Sequence, residues 1–223
     1  MQERDKTKQS NAIAFTYKLR RGDKFDFYLL VSYISIMEKE NRKTQIVDLA
    51  LQLIREKGYV AISYDDLSKQ LGVTKASIHY HFEKKEDLGV AVTERIGQNL
   101  ESFLSSITKS AMTVEEKLKQ YTVRQIAFCG EGICPISSLQ SDFLSLPDLM
   151  KQKVKELSQF ELKILITILT EGHNKDVDQA AEEVEALAYT VLSCIKGALQ
   201  YKRTLGKDVL PQILNQLNRL VQL

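Results

Sequence analysis

An all-α fold is predicted by three features of the chain beyond residue 41. Apolar residues recur every three or four positions, the period-two alternation of strands is scarce, and only Pro135, Pro147 and Pro211 interrupt the pattern. With 223 residues, 43% of them hydrophobic, the chain can bury a core without a disulfide or metal staple. The expected plan is a three-helix unit at the N-terminal end, joined by one continuous helix to a lobe of longer helices.

Residues 1–36 carry seven Lys/Arg against four Asp/Glu, so the rest of the chain is close to neutral within a net charge of +2. Phe25–Met37 is apolar but shorter than the roughly 18 residues a spanning helix needs, and Asp26 breaks it. No small-residue cleavage site follows, which argues against a secretory leader. Residues 1–37 are read as a loose arm, or as sequence upstream of a translation start at Met37.

The first helix is marked by Ile46, Leu49, Ala50, Leu53 and Ile54 on one stripe and stops at Lys57-Gly58. Ser63 caps a short second helix with Asp65 and Asp66 in its first turn, and Gly72 ends it. A third short helix spans about Thr74–His81. A longer one follows Glu83–Asp87 and carries Leu88, Val92, Ile96, Leu100 and Ile107. Thr113-Val-Glu-Glu116 is a capping box that opens a helix to about Phe128. A break at Gly130, Gly132 and Pro135 leads to a helical stretch near 137–144, and Pro147 opens a segment to Thr170. Two last helices are expected from Asp176 or Asp178 to Thr204 and from Asp208 onward.

Several function classes fall away. Cys129, Cys134 and Cys194 are an odd number without a CxxC pair and read as reduced thiols of a cytoplasmic protein. His79 and His81 stand two apart on a helix and face different ways, so no metal is expected, and no cofactor motif is present. No Ser/His/Asp, Cys/His or paired-carboxylate arrangement is visible, which argues against an enzyme. A nonspecific architectural DNA binder would need a strongly basic surface, and the balanced charge argues against that too.

The stretch Ile62–Phe82, ISYDDLSKQLGVTKASIHYHF, carries the function. A capped helix, a tight turn at Gly72-Val73-Thr74 and a second helix with small residues at its front form a helix-turn-helix. Leu67, Leu71, Val73 and Ile78 are expected inside, leaving Lys75, Ala76, Ser77, His79 and Tyr80 outward. Ala76 and Ser77 permit close approach to base edges. Lys75, Lys85 and the Ser63 and Thr74 hydroxyls are placed for phosphates.

Gly58-Tyr59, Ser63, Asp66-Leu67, Gly72-Val73, Lys75, Tyr80-His81-Phe82 and Lys85-Glu86-Asp87-Leu88 resemble the DNA-binding domain of the tetracycline-repressor (TetR) family. The resemblance covers about residues 41–92. It implies base contacts from Lys75, Ala76, Ser77 and His79, and phosphate contacts from Tyr80, His81, Lys85, Thr44, Ser63 and Tyr64. His79 departs from the tyrosine or phenylalanine usual there. The implied division is a DNA-binding domain at 38–98 and an effector-binding and dimerisation domain at 99–223. The partners implied are a double-stranded DNA operator, a small-molecule effector and a second copy of the chain, with no membrane.

Ile133–Met150 is similar to a cysteine-centred segment in the ligand lobe of some TetR members, which makes Cys134 either a sensor thiol or a small packing residue. Tyr121, Arg124, Gln125, Phe128, Phe143, Phe160 and Tyr189 either line an effector pocket beside it, with Arg124 and Gln125 as polar anchors, or belong to the plain core. Val184, Leu187, Ala188, Val191, Leu192, Ile195 and Leu199, with Leu214, Leu217 and Val221, are the expected dimer seam. The function expected is a repressor released from a palindromic operator by a small molecule. The alternative is a helical binding protein or enzyme that uses the C-terminal cavity without touching DNA.

Overall fold

A computed structural model describes residues 24–130, 132–172 and 177–221. The chain divides into two units, residues 1–45 and 46–223. The core and every long-range contact given below lie in the second.

Among the described residues there are nine α-helices and no strand: α1 (Lys24–Lys57), α2 (Tyr64–Leu71), α3 (Lys75–His81), α4 (Lys85–Thr108), α5 (Val114–Cys129), α6 (Pro135–Ser141), α7 (Asp148–Thr170), α8 (Val177–Leu205) and α9 (Leu210–Val221). A single 3₁₀ turn, Phe143–Ser145, lies between α6 and α7. Two boundaries differ from the sequence reading. Helix α1 begins at Lys24, so the backbone of 24–37 is helical; the part of the expected arm before Lys24 lies outside the described residues. The stretch expected to be helical over 137–144 is shifted to start at Pro135, where a missing N–H costs nothing in the first turn.

The core of the second unit starts on the α1 stripe, where Ile46, Ala50, Leu53 and Ile54 are buried. Helix α7 is its axis and packs on α4, α5, α6 and α8, with Ile164, Leu165, Ile168 and Leu169 wholly enclosed. Part of the expected seam is used up here. Val184, Ala188, Val191, Ile195 and Leu217 are buried within the chain itself, because α8 packs on both α7 and α9. Leu187, Leu192, Leu199 and Leu214 are only half-buried, and Tyr189, Tyr201 and Leu205 are exposed.

The end of α1 is capped by the loop after α5 and by the α6 helix that follows it. The last four carbonyls of a helix lack partners within it. Here the Ile54 carbonyl accepts from Ser138 Oγ at 2.8 Å and the Arg55 carbonyl accepts from the Ile133 amide at 2.9 Å. Arg55 Nη1 in turn donates to the Phe128 carbonyl at 3.0 Å, and Asp142 Oδ2 accepts from the Val60 amide at 3.1 Å. A Cβ on Gly132 would stand 2.6 Å from the Arg55 carbonyl oxygen, so the approach requires glycine. This clasp ties the helix that supports the turn motif to the helical lobe.

Candidate nucleic-acid interface and buried polar cluster

The α2–α3 turn is built from local chemistry. Ser63 caps α2 in a full box with Asp66, whose carboxylate is held well below the usual range, mainly by the Ser63 hydroxyl and then by Lys57. Gly72 closes α2 at φ +65°, in the left-handed region where a side chain would be strained. Thr74 then caps α3, accepting from the Ser77 amide at 3.2 Å. Leu67 and Ile78 are buried, as the sequence predicts, and Phe82 is buried with them, while Leu71 and Val73, also expected inside, are half-buried.

The outer face of α3 presents Lys75, Ala76, His79 and Tyr80 exposed, with Ser77 and His81 half-buried. Lys75 pairs with Asp65 at 3.0 Å, and Asp65 also holds Lys69 at 2.5 Å. An exposed pair of this kind is worth little, so Lys75 can leave it for an anionic partner. The His79 ring stands edge-on to Tyr64, with centroids 4.7 Å apart, and its Nδ1 lies 3.2 Å from the Glu83 carbonyl oxygen. That oxygen can only accept, so Nδ1 is the donor in this contact and Nε2 is left facing outward.

Two of the expected phosphate donors are committed elsewhere. The Ser63 hydroxyl donates to Asp66 Oδ2 at 2.7 Å, and the Tyr64 hydroxyl donates to the Phe82 carbonyl at 2.9 Å. Neither keeps a proton for a phosphate oxygen. Burial raises the Tyr64 hydroxyl to about 12, consistent with a structural strut. Lys85 donates one of its three protons to the Val60 carbonyl at 2.9 Å and lies 4.6 Å from the Tyr59 ring centroid; burial lowers its ammonium below the usual lysine value. Tyr80 and His81 stand edge to face at 5.3 Å. Thr44, exposed on α1, belongs to the unit that ends at Gln45.

The expected effector residues separate into two groups. Tyr121, Arg124, Gln125 and Phe128 share α5, and Cys134 follows at the cap of α6. Gln125 Nε2 donates to the Tyr121 hydroxyl oxygen and to Glu161 Oε1, both at 2.7 Å, and Lys196 Nζ donates to Glu161 Oε2 at 2.6 Å. The Arg124 guanidinium carbon lies 5.0 Å from the Phe103 ring centroid and 5.3 Å from that of Phe128. Glu161, Lys196 and Phe103 were not anticipated; they come from α7, α8 and α4. The Cys129 thiol hydrogen-bonds to Cys134 and holds the Cys134 thiol down at about 7, while Cys129 itself is pushed up.

The second group does not join them. Phe143 lines a groove with Gln140, Val154 and Ser158, under the Lys155 ammonium at 5.9 Å. Phe160 lines an open groove of about 410 Å³ between α4 and α7. Tyr189 is 53% exposed on α8. These three rings were expected to line the pocket beside Cys134 or to belong to the core; two of them line separate grooves and the third is exposed. Among the described residues no group of three or more His, Cys, Asp or Glu could hold a metal ion, and no helix is long and apolar enough to cross a membrane.

The signature of the bacterial regulatory proteins of the tetR family matches residues 46–92, the span that contains the turn motif. A fatty acid metabolism regulator protein of Bacillus subtilis is 30% identical over 138 residues, which are 60% of this chain and 70% of that protein. The negative transcriptional regulator IcaR of the icaADBC biofilm operon, from Staphylococcus epidermidis, is 44% identical over 46 residues, 21% of this chain and 25% of that protein. A TetR transcriptional regulator from Legionella pneumophila has a crystal structure that superposes with a TM-score of 0.70 at 28% identity, over 80% of this chain and 94% of that one.

Proposed function

The chain belongs to the tetR family of bacterial regulatory proteins, as a ligand-responsive DNA-binding transcriptional regulator, and from that premise we propose how its own residues act. Helix α3 enters the major groove of an operator. Lys75, Ala76, Ser77 and His79 meet base edges, while Thr74, Tyr80, His81 and Lys85 meet the backbone. The single observation that carries this reading is the exposed α3 face held rigid by the Ser63 box, Gly72 and the Thr74 cap. With Nδ1 turned to the Glu83 carbonyl, His79 presents its Nε2 edge outward to the base edges.

One such helix reads only a few base pairs, so two copies are required to span half-sites one helical turn apart. The half-buried and exposed residues of α8 and α9 supply the homodimer surface. Residues 38–98 form the DNA-binding domain and 99–223 the effector and dimerisation domain of a cytoplasmic protein. The effector, a small molecule, sits at Arg124, Gln125 and Phe128. Its arrival shifts Phe128, whose carbonyl holds Arg55, and so moves α1 and the α3 face behind it. Release of the operator makes the regulator a repressor. The name of the Bacillus relative supports an effector with an apolar body.

Selection of bound sequences from a random duplex library tests the reading. A two-fold symmetric site with half-sites about 10 base pairs apart is expected, and His79→Arg is expected to shift preference at one position of each half-site toward guanine. Equal recovery of all sequences contradicts the proposal, and an unchanged site with His79→Arg contradicts the role of His79.

A further inference from the structure

Resting on that regulatory reading, we propose that Arg124 is the anchor for the acid group of the effector, which is an organic carboxylate with an apolar body. Arg124 Nη1 is buried without a hydrogen-bond partner among the described residues. A charged donor left in that state is costly, and stacking on Phe103 and Phe128 compensates the charge but not the N–H groups. The next residue has the opposite need, a donor. Gln125 is 1% exposed and spends its amide protons on Tyr121 and Glu161, which leaves its Oε1 unpartnered as well.

Charge identifies the missing group. Within the cluster the Glu161 carboxylate is bonded to Lys196 and acts on Arg124 only through space, so two cations share one carboxylate. The Tyr121 hydroxyl stays neutral, since burial raises it well above its ordinary value. The Cys134 sulfur is the one rival counter-charge nearby. A carboxylate supplies both an acceptor for Nη1 and the balancing charge, and the Phe103 and Phe128 rings set an apolar wall around it. Because Phe128 both stacks on Arg124 and holds Arg55, the acid group enters at the residue that the clasp uses.

The test is a thermal-shift and operator-affinity panel on the full chain. The acids are benzoate, phenylacetate and the straight-chain acids from hexanoate to dodecanoate. Benzyl alcohol, 1-octanol and octanoyl-CoA are the counterparts without a free carboxylate. At least one acid is expected to raise the Tm and weaken operator binding, and to act about tenfold or more below the concentration its counterpart without a carboxylate needs. Arg124→Gln is expected to erase that preference and Arg124→Lys to keep part of it. The proposal is overturned by a panel without any acid response, by alcohols or octanoyl-CoA matching the acids, or by an unchanged preference in Arg124→Gln. An acid response found only in Cys134→Ser also overturns it, since the sulfur is then the counter-charge. Failure of the unliganded protein to bind a selected operator contradicts the regulatory reading instead, and the thermal shifts report on the acid site independently of DNA.

Discussion

Ala76→Glu is expected to lower specific operator affinity by ~100-fold or more, about 2.8 kcal/mol, with no loss of thermal stability. Ala76 is exposed at the second position of α3, between Lys75 and Ser77. A carboxylate there would face the phosphate field of the duplex and the acceptor-rich floor of the major groove. The same charge suits the first turn of a helix, where the macrodipole is positive, so α3 itself gains slightly. Loss of binding with an unchanged Tm therefore separates contact from folding. Fluorescence anisotropy on the selected operator measures it, and an affinity within threefold of the parent would place the DNA elsewhere.

Gly132→Ala is expected to cost about 1–3 kcal/mol of stability through overpacking. The added methyl would meet the Arg55 carbonyl oxygen at 2.6 Å and the Arg55 carbonyl carbon at 3.0 Å. Both are backbone atoms at the end of α1, so relief requires the loop or the helix end to move. The Ile133 amide bond to Arg55 and the Arg55 bond to Phe128 are the ones strained. Urea unfolding reads the stability, and native-state hydrogen exchange at the Ile133 amide reads the location. Equal stability with unaltered exchange would mean that the loop yields freely and that the clasp transmits nothing between effector site and α3.

The turn motif was legible because its determinants are local. Ser63 with Asp66, Thr113 with Glu116 and Gly72 act within four residues of themselves, and the structure shows both capping boxes and the left-handed glycine. Buried stripes such as Ile46, Ala50, Leu53 and Ile54 follow from the helical repeat alone. What a hydroxyl does with its proton is less local. Ser63 and Tyr64 read as phosphate donors until their acceptors, Asp66 and the Phe82 carbonyl, are placed. Tyr64 and Phe82 are 18 residues apart, and no spacing rule connects them.

The effector region was half legible. Arg124 and Gln125 stand out as polar residues between Tyr121 and Phe128 on α5, and they lie in the cluster. Glu161 and Lys196 look in sequence like ordinary solvated charges on α7 and α8. Only the packing of three helices shows that Glu161 is fully buried and needs Lys196 and Gln125 together. Phe143, Phe160 and Tyr189 illustrate the converse. Aromatic residues at helical spacing share a face only within one helix, and which face meets the cluster depends on rotations that the sequence does not state.

The most direct measurement of the central claim, that the α3 face touches operator bases, is photocrosslinking from position 77. Ser77→p-benzoylphenylalanine, bound to the selected operator and irradiated, is expected to form adducts within each half-site. The same residue at Gln159, exposed on α7, is expected to form none. Binding that persists without adducts from position 77, or with equal adducts from position 159, would contradict the account.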